Sequence, residues 1–309
     1  MIKKTLYFGN PAYLSLQNGQ LVLRLPEVEK NDSIPTAWKQ RAERTIPIED
    51  IGVVLLDHRH ITITQALLAA LLDNNCALIT CDDSHLPTGL MLPLCGNATQ
   101  SERFRAQIDA SLPLRKQLWQ QTIQAKIANQ AALLHRRGIE NRNMLRWVTE
   151  VRSGDADNLE ARAAVYYWAN LFPQIPAFRR KRDGVPPNNL LNYGYAILRA
   201  VVARSLVGSG LLPTLGIHHH NRYNAYCLAD DIMEPYRPYV DDTICRLLDE
   251  RTAIDHLSTA AKTRLLTLPT TEVTIGGQRS PLMIAVAQTT ASLYKCFSGE
   301  CRKIIYPEM

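Results

Sequence analysis

Three segments of the chain carry residue types that bind a divalent cation. Glu160 lies near the start of a segment with helical periodicity, His218-His219-His220 follow a stretch containing Gly and Pro, and Glu234 comes after them. Two carboxylates and one imidazole form a mixed oxygen and nitrogen ligand set that suits Mg²⁺ or Mn²⁺. Consecutive histidines in an extended segment point in different directions, so at most one or two of them belong to a shared site. The residue types thus indicate a metal site, but they do not show which of the three histidines belongs to it.

Both glutamates also fit a purely structural role. Asp157 precedes Glu160 by three residues, and Asp231 precedes Glu234 by the same spacing. An acidic residue followed three positions later by Glu is typical of a helix N-terminal capping box, in which the Glu only accepts a backbone hydrogen bond. From the residue types alone, capping and metal binding therefore both remain open.

The positive charge of the chain is concentrated in its second part. Residues 1–95 carry 8 basic and 10 acidic side chains, whereas residues 96–309 carry 27 basic and 19 acidic ones. The densest basic run is Arg179-Arg180-Lys181-Arg182. Such a run gains affinity for DNA through counterion release, and a solvated surface loop is the alternative. A divalent cation in basic surroundings indicates phosphodiester chemistry.

Several other classes of protein are disfavoured by missing motifs. The seven cysteines include no C-x-x-C pair, and no H-E-x-x-H occurs, which argues against a structural zinc site, a zinc hydrolase and a disulfide framework. The sequence has no phosphate-binding loop of the nucleotide-hydrolysing enzymes. It also has no stretch of about 18 apolar residues, so we expect no membrane association and a cytoplasmic protein.

The elements that must position these residues fall into two groups. An Asn-Gly turn joins two strand-like runs near the N-terminus, and further strand-like runs follow with one helical pattern between them. Beyond them the periodicity is helical and includes a long helix broken near Pro113 and a helix over residues 231–249. We therefore predict an α+β protein with three parts. These are a small β-rich N-terminal domain (residues 1–85), a linker (residues 86–100) and a larger all-helical catalytic domain (residues 101–309).

The sequence resembles the CRISPR-associated integrase family, Cas1. The matching segments are GDADNLEARAAVYYW at residues 154–168, NNLLNYGYA at 188–196, and GIHHHNRYN at 216–224, which leads into LADDIMEPYR at 228–237. The N-terminal KTLYFGNPAYLSL at residues 4–16 also matches, so the resemblance covers essentially the whole chain. This N-terminal segment, the double histidine after Gly-Ile and the compact length resemble the type II branch.

The resemblance assigns roles to individual side chains. It implies that the family's metal ligands correspond to Glu160, His219 and Glu234, since His219 matches the Gly-x-x-His pattern of the family. Asp231 matches a family aspartate that supports the site or caps a helix. His219 is either a ligand alone or also a general acid for the departing oxygen. We further expect contacts with DNA from Arg179, Arg180, Lys181, Arg182, His218, His220 and Arg237.

The activity that the resemblance implies is the insertion of short foreign DNA fragments into a CRISPR array. The 3′-OH of a captured fragment attacks the phosphodiester at the leader–repeat boundary, in a metal-assisted transesterification without ATP. The implied partners are double-stranded DNA (prespacer and CRISPR repeat), a second copy of the chain that forms a homodimer largely through the β-rich domain, and a Cas2 dimer within a heterohexamer. Other type II adaptation proteins and the RNA-guided effector nuclease are further implied partners.

Two other functions fit the same residues. A structure-specific DNA repair nuclease needs the same site but no joining step. A non-catalytic DNA-binding scaffold needs only the basic surface, and both glutamates then serve as helix caps.

Overall fold

The computed structural model describes residues 2–33 and 35–309, and it divides into two units, the first ending at Gly96 and the second beginning at Asn97. The first unit contains two β-sheets, and the second is mainly helical. The predicted α+β class is therefore confirmed. Within the described residues, no helix combines the length and the apolar character that crossing a membrane requires.

The first unit is built from two four-stranded sheets and a few helices. One sheet has the order β1-β5-β7-β8 and the other the order β4-β3-β2-β6. The strands are β1 (Lys4–Phe8), β2 (Ala12–Gln17), β3 (Gln20–Arg24), β4 (Arg44–Pro47), β5 (Ile51–Leu56), β6 (Ile61–Ile63), β7 (Ala77–Cys81) and β8 (Pro87–Met91), and the helices are α1 (Pro26–Glu29), α2 (Thr36–Ala42) and α3 (Gln65–Asp73).

Local sequence chemistry explains the hairpin at the start of this unit. Asn18 and Gly19 both adopt positive φ, at 49° and 69°, between the antiparallel strands β2 and β3. This is the conformation of the tight turns that Asn-Gly favours, and the hairpin predicted from the sequence is confirmed. Leu14 and Leu21 of the hairpin are fully buried and pack with Leu67 of α3 in one core.

The segment predicted as a linker contains a strand. Residues 87–91 form β8, which pairs antiparallel with β7, and the division between the two units falls after Gly96. Pro87 and Gly89 are compatible with β8, because an edge strand accepts a proline at its first residue and a glycine where another group approaches closely. A Cβ at Gly89 would lie 2.4 Å from the Thr80 hydroxyl, so a glycine is needed there.

The second unit packs its helices around α8 (Asn188–Gly208), most of whose residues are buried. The long helix α5 (Leu112–Arg136) packs against α6, α7 and α10. The other helices are α4 (Gln100–Ile108), α6 (Arg142–Glu150), α7 (Leu159–Leu171), α9 (Cys227–Met233), α10 (Arg237–Asp249), α11 (Thr259–Leu266) and α12 (Leu282–Phe297). The predicted break near Pro113 is confirmed, because α5 begins after Ser111, whose hydroxyl accepts a hydrogen bond from the Leu114 N–H.

Two expectations for this unit were wrong. It is not all-helical, because the strands β9 (Glu272–Ile275), β10 (Gln278–Pro281) and β11 (Pro307–Glu308) form a small sheet. The helix predicted over residues 231–249 is two helices, α9 and α10, joined by a 3-10 turn at Glu234–Tyr236. Pro235 and Pro238 lack the backbone N–H that a continuous helix requires, which explains the interruption.

Candidate active site

The start of helix α7 positions Glu160. Asp155 accepts hydrogen bonds from the backbone N–H groups of Leu159 at 2.9 Å and Glu160 at 3.0 Å. The expected capping by Asp157 is wrong, since Asp157 forms an exposed ion pair with Arg152. Glu160 therefore does not form a capping box with Asp157. Its side chain contacts Lys126 instead.

Asp231 positions the histidine segment from inside helix α9. Its fully buried carboxylate accepts hydrogen bonds from the backbone N–H groups of His218 at 2.9 Å and His219 at 3.3 Å, and the His219 ring Nδ1 lies 2.5 Å away. Of the two roles expected for Asp231, helix capping does not apply, because α9 begins four residues earlier, at Cys227, whereas its contacts with the histidine segment agree with a supporting role. A Cβ at Gly216 would lie 2.4 Å from the His219 carbonyl oxygen, so only glycine allows this close turn.

Because Nδ1 is engaged by Asp231, Nε2 is the ring nitrogen of His219 that is available to a ligand. The bond to Asp231 raises the pKa of His219 above its ordinary value, and the charges of Glu234 and Glu160 contribute in the same direction. His219 is therefore close enough to both glutamates to sense their charges.

Glu160 and Glu234 both contact Lys126. The Lys126 Nζ lies 2.6 Å from Glu160 Oε1 and 2.6 Å from Glu234 Oε2. Lys126 comes from the middle of α5, whereas Glu234 comes from the 3-10 turn that packs against this helix. The structure thus brings the two predicted carboxylates together around one ammonium group.

Glu234 and Lys126 are both ionised near neutral pH. Burial raises the pKa of Glu234, but the charges of Arg237 and Lys126 outweigh burial and hold it at about 2. Burial lowers the pKa of Lys126, but Glu234 and Glu160 outweigh burial and raise it overall. Arg237 contributes directly, because its Nε donates a hydrogen bond of 2.8 Å to Glu234 Oε1.

Sequence reasoning missed Lys126, although a signal was present. Thr122, Ile123, Asn129 and Gln130 are all buried residues of α5 and lie three or four positions from Lys126, on the same helix face. A lysine within a buried stripe requires a charged partner, because burying an isolated charge is costly. The occurrence of a lysine on the buried face of α5 could therefore have predicted that Lys126 has a carboxylate partner.

The chemistry of the cluster fits a divalent cation. Within residues 2–33 and 35–309, no three His, Cys, Asp or Glu side chains are arranged as a ready metal site. The Lys126 ammonium lies between the two carboxylates instead. Glu234 Oε2 is buried and lies 2.6 Å from the Lys126 ammonium. Two carboxylates that converge on one cation, with an imidazole as the predicted third ligand, suit Mg²⁺ or Mn²⁺.

His218 lies against an aromatic ring beside this cluster. Its ring stacks parallel on Trp119, with 4.1 Å between the ring centroids, and Trp119 is buried. Burial and the neighbouring His219 lower the pKa of His218, so it is neutral at pH 7. His220 is exposed. The predicted contacts of His218 and His220 with DNA remain predictions.

Arg237 is directed into the protein rather than towards solvent. Besides its bond to Glu234, its guanidinium lies 4.5 Å from the centroid of the Tyr195 ring. The Tyr195 hydroxyl donates a 2.6 Å hydrogen bond to Asp241, whose pKa burial raises to about 7 despite this bond. Arg237 thus acts as a carboxylate partner, and its expected contact with DNA remains a prediction.

The basic run Arg179–Arg182 divides into two kinds of side chain. Three of its members are exposed, whereas Arg180 is half-buried. Arg180 donates hydrogen bonds to the side-chain oxygens of Asn188 at 3.0 Å and Asn192 at 2.8 Å, and it lies over the Tyr195 ring. The run therefore has one structural arginine and three side chains that are free to meet a polyanion.

Comparison with known proteins identifies the family and the fold of this chain. Residues 7–271 match the family model described as CRISPR associated protein Cas1. The chain belongs to the Cas1 family. It is 35% identical over 294 residues to the CRISPR-associated endonuclease Cas1 of Neisseria meningitidis serogroup C (strain 8013), and the match covers 94% of this chain and 91% of that protein.

Two solved structures share the Cas1 fold of this chain. A casposase bound to integration product aligns with a TM-score of 0.77 and 19% sequence identity, covering 98% of this chain and 92% of that one. A Cas6-RT-Cas1–Cas2 complex aligns with a TM-score of 0.71 and 20% identity, covering 97% of this chain and 35% of that chain. The predicted membership of the Cas1 family is therefore confirmed.

Proposed function

We propose that this chain is a metal-dependent DNA integrase and endonuclease of CRISPR adaptation. The observation that carries the proposal is the convergence of Glu160 and Glu234 on a single cationic group, 2.6 Å from each. Glu160, His219 and Glu234 would hold Mg²⁺ or Mn²⁺. The bound ion would lower the pKa of an attacking 3′-OH and neutralise charge on the phosphate.

Each protein group has a separate task in this proposal. Glu160 and Glu234 supply the negative charge that binds the cation, and Arg237 keeps Glu234 ionised. Asp231 orients the His219 ring, so that Nε2 serves as a ligand or protonates the departing oxygen. The exposed members of the run Arg179–Arg182 hold the phosphates of duplex DNA.

The proposed partners follow from the family and from its structural neighbours. One neighbour is a casposase bound to an integration product, and another is a complex that contains Cas1 and Cas2. We infer that this chain binds prespacer and repeat DNA, forms a homodimer largely through its β-rich domain, and assembles with a Cas2 dimer. The proposal includes the adaptation proteins and the effector nuclease of a type II system as further partners.

A strand-joining assay tests this function. The chain with Cas2 is mixed with a prespacer-like duplex and a supercoiled plasmid that carries the leader and repeat, in Mg²⁺ or Mn²⁺. Covalently joined product is the expected result. Cleavage without joining would identify a repair nuclease, and binding without either reaction would identify a scaffold.

The variant Glu160→Gln identifies the residue responsible. It should abolish joining and cleavage while the protein remains folded, because the cation loses one carboxylate. Asp157→Asn is the matched control, since its carboxylate is exposed and paired with Arg152. Full joining by Glu160→Gln would contradict the assignment of this glutamate.

A further inference from the structure

The ammonium of Lys126 lies where a shared cation of the two glutamates must lie. Its Nζ is 2.6 Å from one oxygen of Glu160 and 2.6 Å from one oxygen of Glu234, and only 10% of its side chain is exposed. We propose that Lys126 is an internal counter-cation that holds these carboxylates together and that a divalent ion must displace. The inference rests on the proposed metal-dependent function.

The first argument is that the two cations exclude each other. Mg²⁺ binds carboxylate oxygens at about 2.0–2.1 Å, closer than the two Lys126 contacts. An ammonium and a dication that share the same two oxygens would lie within a few ångströms, where like charges repel strongly in a buried site. Binding of the ion to both glutamates therefore requires the Lys126 ammonium to move away.

The second argument is that the site needs a cation when no metal is bound. Glu234 is buried, and Glu160 lies beside it on the other side of the Lys126 ammonium. Arg237 donates to Oε1 of Glu234, but Oε2 faces only Lys126 within the described part of the chain. Without Lys126, the two carboxylates would repel each other and separate. Lys126 is thus a positioning residue that keeps the ligand pair close before the ion arrives.

The flexible stem of lysine suits this exchange. A lysine side chain carries a compact charge on four methylene groups, so the ammonium can move by rotation about side-chain bonds while α5 stays in place. An arginine is planar and bidentate and would be harder to displace. The inference therefore predicts that the nature of residue 126 sets the affinity of the site for the metal.

Titration with Mn²⁺ alone tests the inference without any assay of activity. The full chain, Lys126→Met and the control Lys116→Met are titrated by calorimetry or by the electron paramagnetic resonance signal of free Mn²⁺. Lys116 lies on the same helix and is exposed. We expect Lys126→Met to bind Mn²⁺ about tenfold more tightly, because no charge-assisted hydrogen bond has to be broken, and Lys116→Met to match the unaltered chain.

A second measurement uses the unaltered protein, in case Lys126→Met does not fold. Lysines are acetylated with and without saturating Mn²⁺, and the modified positions are read by mass spectrometry. Displacement predicts that Mn²⁺ increases the acetylation rate of Lys126 and leaves that of Lys116 unchanged. An unchanged rate at Lys126 in the Mn²⁺-bound protein overturns the inference.

The outcomes separate this inference from the proposed function. Mn²⁺ binding that is lost in Glu160→Gln but is equal or weaker in a folded Lys126→Met overturns the displacement and leaves the metal site standing. No Mn²⁺ binding by either the unaltered chain or Lys126→Met overturns both. Binding that appears only in Lys126→Met supports the displacement directly.

Discussion

Asp231 holds His219 by its ring and by its backbone. The carboxylate contacts Nδ1 at 2.5 Å and the backbone N–H at 3.3 Å, and it is fully buried inside α9. A buried carboxylate behind a histidine fixes both the ring orientation and the nitrogen that carries the proton. The reactive face of His219 is therefore set by a residue twelve positions away in the chain.

Replacing this carboxylate should weaken the site without removing a proposed ligand. Asp231→Asn should reduce Mn²⁺ affinity about 10- to 100-fold, because the ring of His219 loses its orienting partner. It should also bring the pKa of His219 back towards its ordinary value, since that hydrogen bond is the main cause of the rise. Mn²⁺ titration and NMR titration of the histidine ring measure the two effects, with Asp157→Asn as the control. Equal Mn²⁺ affinity in both variants would contradict this role.

The raised pKa of His219 predicts how stability depends on pH. The folded state holds the His219 proton more tightly than the unfolded state, so this stabilisation is complete below about pH 6.5 and is lost as the pH rises through the raised value. The difference in unfolding free energy between the unaltered protein and His219→Gln should therefore shrink with increasing pH. Urea denaturation from about pH 5.5 to 9 measures it. A difference for His219→Gln that stays constant across this pH range would refute the prediction.

The exposed part of the basic run should control the salt dependence of DNA binding. Changing Arg179, Lys181 and Arg182 to Glu should lower the affinity for duplex DNA and flatten its salt dependence, by about one in slope for each phosphate that the loop no longer binds. Fluorescence anisotropy at several salt concentrations measures both quantities. An unchanged slope would mean that this loop does not contact phosphates.

Arg180 should behave differently from its neighbours, because its hydrogen bonds are internal. Arg180→Ala removes donors to Asn188 and Asn192 and should lower the unfolding free energy by about 1–3 kcal/mol. Chemical denaturation measures this loss, and Arg179→Ala serves as the matched control with an exposed side chain. Equal stability of the two variants would contradict the structural role of Arg180.

The start of helix α7 should depend on Asp155. Asp155→Ala leaves the N–H groups of Leu159 and Glu160 without their acceptor and should cost about 0.5–2 kcal/mol of stability. Asp157→Ala should cost much less, because its ion pair with Arg152 is fully exposed. Chemical denaturation of both variants gives the comparison. A larger loss for Asp157→Ala would restore the capping box expected from the sequence.

The sequence alone was sufficient for features that short-range chemistry decides. The Asn18-Gly19 hairpin and the helix break before Pro113 follow from turn preferences and helix periodicity within a few residues. Membership of the Cas1 family followed from continuous motifs around Glu160 and Glu234. Each of these features depends on residues close together in the chain, where a pattern is visible without the fold.

The tertiary structure decided which groups surround those motifs. Lys126 is 34 residues from Glu160 in sequence, and it meets Glu234 only because α5 packs against the 3-10 turn that carries that glutamate. The choice of Asp155 over Asp157, and of Asp231 as the partner of His219, likewise depended on backbone geometry. Residue spacing predicts which side chains share a helix face, but contacts between elements distant in sequence depend on how those elements pack around a common core.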